Sequence, residues 1–180
     1  MVCMSKGRHN LLTGRLAEHL VCAELSRLGL IATTFAHNVP AFDVLATDEY
    51  CRPVPIQVKA STSNWWRSTA SRWMDIVQNE SEKTQQITGR KQLKTPNLIW
   101  VCVSVASRKE EKDRFFIFKE SDLQEVLFRN YTTELEYVLG KRKKNWQAED
   151  CWWEIDDIIK YEDKWSIIVD QFKLESVTQK

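Results

Sequence analysis

The sequence predicts an α/β fold in which a mixed central sheet is flanked by helices. Three observations predict it: a helical apolar spacing near the start, a pair of short extended segments after it, and an almost continuously apolar stretch at 97–106. With 180 residues and 43% hydrophobic side chains, the chain suits a single domain over 1–180. Its core is expected at about 13–128, with a helical, aromatic extension from about 129 to 180.

The elements follow in order. Thr13 can cap a helix in which Leu16, Leu20, Ala23 and Leu28 recur at helical spacing, and Gly29 is placed as its left-handed stop. Residues 30–35 and 41–46 read as extended, separated by a loop with Asn38 and Pro40. The second of these carries Asp43 between Phe42 and Val44. A turn at 47–52 returns the chain as an antiparallel partner strand, Pro55 to Ala60. There, alternation sends Gln57 and Lys59 to one face, and Ile56, Val58 and Ala60 to the other. A third strand opens within 61–66, and 73–77 is compatible with strand or helix. The polar stretch 79–94, with Gly89 inside it, reads as a solvated helix, a mobile loop or a surface over the site, contributing little to the core. Leu98 to Val105 supplies the central strand, covered on both faces. A charged turn at 107–114, a strand at 115–118 and a capped helix at 121–128 come next. The last third holds the basic cluster Lys141-Arg142-Lys143-Lys144, an aromatic segment at 151–155 and a final helix from 158 or 162 to about 172.

Bulk properties narrow the function classes. The 26 basic residues oppose 25 acidic ones, so any nucleic-acid site must be a local patch rather than a whole-molecule field. The five cysteines are widely spaced without a Cys-x-x-Cys pair, as expected of a reduced, cytoplasmic chain. No stretch has signal-peptide character or membrane-spanning length, so no membrane partner is expected. His9, His19 and His37 lack metal-ligand spacing, and there is no Gly-rich phosphate loop or serine elbow. Among eight tryptophans, Trp100 and Trp153 are expected in the core. The adjacent Trp65 and Trp66 must face opposite ways on a strand, leaving one to contact a substrate or partner. Lys141 to Lys144 reads as a solvated loop or as phosphate contacts, while Arg67, Arg72, Arg90, Lys91 and Lys94 lie nearer the site in sequence.

Asp43, Gln57, Lys59 and Glu18 carry the chemistry. With Asp43 on the strand beside Gln57 and Lys59, a carboxylate, an amide oxygen and an ammonium converge on a divalent metal and a phosphate. Phosphodiester hydrolysis asks for that set: a positioned water, neutralised charge at phosphorus and help for the leaving oxygen. Mg2+ or Mn2+ takes hard oxygen ligands. Asp43 is the expected direct ligand, the Gln57 side-chain oxygen and the Val58 backbone carbonyl are further ones, and Glu18 holds a metal-bound water or a second ion. Lys59 is expected beside the nucleophile and the phosphate.

In that order, Gly14-Arg15-Leu16-Ala17-Glu18, Phe42-Asp43-Val44 and Ile56-Gln57-Val58-Lys59 resemble the PD-(D/E)xK nuclease superfamily, which includes restriction enzymes and archaeal Holliday-junction resolvases. The resemblance implies a restriction-endonuclease-like fold and a Mg-dependent DNA endonuclease. In it Glu18, Asp43 and Gln57 serve the metal and Lys59 is catalytic. DNA is the expected partner rather than RNA, and paired cuts in a duplex favour a homodimer. The chain departs from the pattern twice: Ala41-Phe42 stands where the motif has proline, and Gln57 stands where it usually has an acid, which removes one negative charge from the metal site. Two other readings follow from the same residues. One is a nuclease-fold module that binds nucleic acid or protein without catalysis, kept open by Gln57. The other is an interaction protein with chance alternation, which Asp43 and Lys59 on opposite sides of the sheet would favour.

Overall fold

The structure is a computed structural model that describes residues 6–35, 41–108, 110–142 and 145–175. In chain order its elements are α1 (Lys6–Arg27), β1 (Ile31–Thr34), β2 (Val44–Thr47), β3 (Pro53–Ser61), β4 (Trp65–Thr69), β5 (Met74–Asn79), β6 (Thr84–Arg90), β7 (Ile99–Ser104), β8 (Arg114–Lys119), α2 (Glu120–Tyr137), β9 (Asp150–Glu154), α3 (Ile155–Ile158) and α4 (Ser166–Glu175). They form two compact units. Met1–Asn64, Leu98–Lys119 and Ile159–Lys180 make the first, and Trp65–Asn97 with Glu120–Ile158 make the second.

The first unit holds a five-stranded sheet in the order β1-β2-β3-β7-β8. The β3–β7 pair is parallel and the other pairs are antiparallel, so the sheet is mixed, as expected. Every residue of β7 is buried, the outcome its unbroken apolar run predicts. The predicted hairpin forms, with Val44 opposite Ile56 and Thr47 opposite Pro53. Its turn is pinned by Asp48, whose carboxylate accepts from the Tyr50 and Arg52 backbone N–H groups (3.1 and 3.0 Å) and from Arg52 Nε (2.8 Å). The Arg52 side chain holds the Asp48 carboxyl below its usual range.

α1 packs through Ala17, Val21 and Leu25 against Val44, Ala46, Ile56, Val58, Val101 and Val103, and Ile168 and Phe172 of α4 join the same core. This corrects two expectations. The helix begins at Lys6, so Thr13 lies inside it, donating its hydroxyl to the His9 carbonyl at 3.0 Å instead of capping. The buried stripe is also shifted by one position from the predicted one, leaving Leu16 48% and Leu28 45% exposed. Small Ala17 allows close approach to the sheet, so the helix turns that face inward despite the larger leucines beside it. Gly29 does end α1, at φ +82°, with the Leu30 N–H returning to the Leu25 carbonyl at 3.0 Å. Asn38 and Pro40 of the predicted loop lie outside the described residues.

The second unit contains two antiparallel ribbons, β4–β9 and β5–β6, and the helix α2. Trp66 and Trp153 are buried and stack with centroids 6.2 Å apart, while Trp65 is 52% exposed, the split that adjacency on a strand requires. Residues 73–77, undecided in sequence, belong mostly to β5. The stretch 79–94 is neither helix nor loop throughout, because β6 pairs with β5 along most of its length. Its polarity concealed a strand whose buried polar group is fully bonded. Gln85 gives its amide N–H to the Trp146 and Ala148 carbonyls and accepts from the Tyr131 hydroxyl at 2.5 Å. Burial pushes the Tyr131 hydroxyl up to about 12, so it stays a donor at physiological pH. α2 runs well past the predicted 121–128.

Arg142 is fixed in the protein: it pairs with Glu134 at 2.7 Å and donates to the Ala148 and Asp150 carbonyls at 2.6 and 3.0 Å. Lys143 and Lys144 of that cluster lie outside the described residues. Arg67, Arg72 and Arg90 pair with Asp150, Glu120 and Glu125. The final helix, expected to reach about 172, is α4, preceded by the short α3 and a single 3-10 turn. No described helix is long and apolar enough to cross a membrane.

Candidate active site at the β2–β3 hairpin

Asp43 sits in a bend one residue before β2, and its N–H donates at 2.9 Å to the carbonyl of Ile56, the residue already opposite Val44, so the ladder loses its register by one residue here. There its carboxylate takes over from the backbone. Asp43 Oδ2 accepts the Val58 N–H at 2.8 Å and a short hydrogen bond from the Gln57 amide nitrogen. In an extended strand one residue's N–H and C=O point to the same edge, so the Val58 carbonyl also faces Asp43.

Gln57 and Lys59 share the face opposite Ile56 and Val58, as their alternation predicts. In register they neighbour Trp100 and Cys102 of β7, and Lys59 is exposed while Gln57 is half-buried. Glu18 comes from α1, its side chain 15% exposed, paired with Arg15 one turn earlier at 2.8 Å. Arg15 also donates to the Phe35 carbonyl at 3.0 Å.

Electrostatics tie these groups together. Burial raises the Asp43 carboxyl above its usual range; the Val58 N–H opposes this, the Glu18 charge adds to it, and the Lys59 and Arg15 charges work against it. The Glu18 and Lys59 charges thus both reach Asp43, although α1 packs on the Ile56 and Val58 face and Lys59 alternates to the other. Gln57 and Val58 are hydrogen-bonded to the Asp43 carboxylate, and the Glu18 and Lys59 charges bear on it. Arg15 is the member that the sequence pattern alone did not single out. Its signal was the i, i+3 spacing from Glu18, which puts a cation and an anion side by side on one helix face.

The donor set is all oxygen: two carboxylates, one amide and one backbone carbonyl, the chemistry that suits Mg2+ or Mn2+. Among the described residues no three His, Cys, Asp or Glu side chains gather where they could hold a metal ion. Gln57 presents its amide nitrogen to Asp43, and a half-turn of that amide would present its oxygen instead.

No family model matches the sequence, and no curated protein does. Solved structures match the fold. The bacterial homing endonuclease I-Ssp6803I aligns over 92% of this chain and 96% of its own, at 12% identity and a TM-score of 0.50. The Holliday junction resolvase Hjc of the archaeal hyperthermophile Archaeoglobus fulgidus aligns over 86% of this chain and 93% of its own, at 12% identity and a TM-score of 0.42. The chain thus has a restriction-endonuclease-like fold, a mixed α/β arrangement with a five-stranded central sheet flanked by helices.

Proposed function

We propose that this restriction-endonuclease-like chain is a metal-dependent endonuclease that hydrolyses phosphodiester bonds of DNA. One observation carries the reading: the Asp43 carboxylate, the Gln57 amide and the Val58 backbone meet at a single point on which Glu18, Lys59 and Arg15 act electrostatically. Asp43, Glu18, the Gln57 oxygen and the Val58 carbonyl hold Mg2+ or Mn2+. A bound divalent cation polarises the phosphate and lowers the pKa of a water at neutral pH. Lys59, exposed on the same face, orients the attacking water and offsets negative charge developing at phosphorus. The raised pKa of Asp43 means that its ionised, ligating form is lost on acidification earlier than for an ordinary aspartate. Cutting both strands of a duplex favours two copies acting together. The thiols Cys22, Cys51, Cys102 and Cys151 suit a reducing, cytoplasmic compartment.

A specific observation favours a second reading, a nuclease-fold module that binds DNA without cutting it. The Gln57 amide nitrogen and the Val58 N–H both donate to Asp43 Oδ2, so a cation at that oxygen has two hydrogen-bond donors to compete with.

The test is cleavage of a panel of duplex, branched and single-stranded DNA, with RNA as a control, in Mg2+ or Mn2+. Asp43→Ala and Lys59→Ala are each expected to lose activity by about a hundredfold or more. Cleavage at the wild-type rate by both variants would sink the nuclease assignment. DNA binding without cleavage or calorimetric metal binding would select the second reading.

A further inference from the structure

Arg15 joins two parts of the candidate site. A single nitrogen, Nη1, donates to Glu18 Oε2 at 2.8 Å and to the Phe35 carbonyl at 3.0 Å. Phe35 follows β1, and its ring meets that of Phe42 edge-on, with centroids 5.4 Å apart and planes at 77°. Phe42 immediately precedes Asp43. The guanidinium therefore links the helix that carries Glu18 to the chain path that carries Asp43. It is 35% exposed, accessible to displacement yet held in place.

We propose that Arg15 is a positioning residue that acts as the resident cation of the carboxylate pair, holding Glu18 Oε2 until a divalent cation takes it over. The proposal rests on the reading of Asp43 and Glu18 as a metal-binding pair. A carboxylate oxygen engaged by a guanidinium is a poorer ligand, so Arg15 and the ion compete for Glu18. A nearby positive charge also opposes a divalent ion directly. Competition and scaffolding predict opposite signs. If Arg15 only holds the ligands in place, removing it loosens them and weakens metal binding; if it competes, removing it strengthens binding.

Calorimetric titration of the full chain with Mn2+ reads that sign. Arg15→Met is expected to bind Mn2+ about three- to tenfold more tightly than wild type, the scale of one partly exposed ion pair plus one adjacent charge. In a Glu18→Gln background the gain should fall by at least half, because the contested oxygen has lost its charge. Arg15→Gln, which keeps an N–H for the Phe35 carbonyl while removing the charge, is expected to reproduce the gain and serves if the Met variant does not fold. Unchanged or weaker affinity in the neutral variants, or an undiminished gain with Gln at position 18, would overturn the proposal. Wild-type Mn2+ binding that needs Asp43 but ignores Arg15 removes this proposal alone. No Mn2+ binding by wild type or any variant removes the metal-site reading along with it, whereas binding seen only after Arg15 is neutralised supports both.

Discussion

Replacing Gln57 with glutamate puts a second carboxylate where an amide now donates to Asp43 Oδ2. Two effects add in the metal-free chain. The lost hydrogen bond is to a charged acceptor, worth about 1.5–3 kcal/mol. Two ionised carboxylates about 4 Å apart repel by roughly 4 kcal/mol at an effective dielectric of about 20, less for a half-exposed pair and capped by the sharing of one proton. The net expectation for Gln57→Glu is a loss of about 2–4 kcal/mol in EDTA at pH 8. Its pH dependence has a definite sign. The paired acids have folded pKa values above their unfolded ones, so the penalty is absent below the unfolded values, grows as pH rises through the folded ones and is constant above them. Urea unfolding at pH 8 and pH 5, with EDTA and then with Mg2+ or Mn2+, measures all of this. Stability should recover at pH 5 and on adding the cation, which supplies the compensating charge. A variant as stable as wild type in EDTA at pH 8 would refute the reasoning, and a loss that no divalent cation reverses would refute its metal component.

Asp43→Asn removes a carboxylate whose folded pKa is raised chiefly by burial. Ionised Asp43 costs stability above that raised pKa and nothing below its unfolded value, so the variant should be more stable than wild type at neutral pH and lose the gain on acidification below the unfolded value. Thermal unfolding across that range checks it, and a gain independent of pH would count against burial as the cause. Gly140 adopts φ +73°, and a Cβ there would stand 2.9 Å from the Gln85 carbonyl oxygen. Gly140→Ala should therefore cost about 2–3 kcal/mol, whereas Gly14→Ala, inside α1 with open space around it, should gain about 0.5–1 kcal/mol. Equal effects of the two substitutions in chemical denaturation would contradict this account.

Local signals that survive folding made part of the structure legible beforehand. Alternation in Pro55 to Ala60, the unbroken run of β7 and the stop at Gly29 each have a single overriding cause: a pleated face, burial on both sides, or positive φ. The phase of α1 was not readable, because a buried alanine lets the helix approach the sheet and side-chain size alone points to the wrong face. β6 was hidden for a related reason. Gln85 is buried by virtue of partners at Tyr131, Trp146 and Ala148, some 46 to 63 positions away, which no window along the chain contains. The contact of Asp43 with Gln57 and Val58 could be inferred from residue order, but the bond from Arg15 to the Phe35 carbonyl depends on where that carbonyl lies, and that is a property of the fold.

The point where the β2–β3 ladder changes hands has a consequence for how such a protein can drift. At Ile56 the partner is the backbone N–H of Asp43; at the next step, Val58, it is the Asp43 carboxylate. The geometry at Val58 is delivered by main-chain atoms, so any side chain that suits a buried strand can stand at that position while the N–H and carbonyl keep their directions. A fold shared with the bacterial homing endonuclease at 12% identity shows how far side chains can change while main-chain directions are kept.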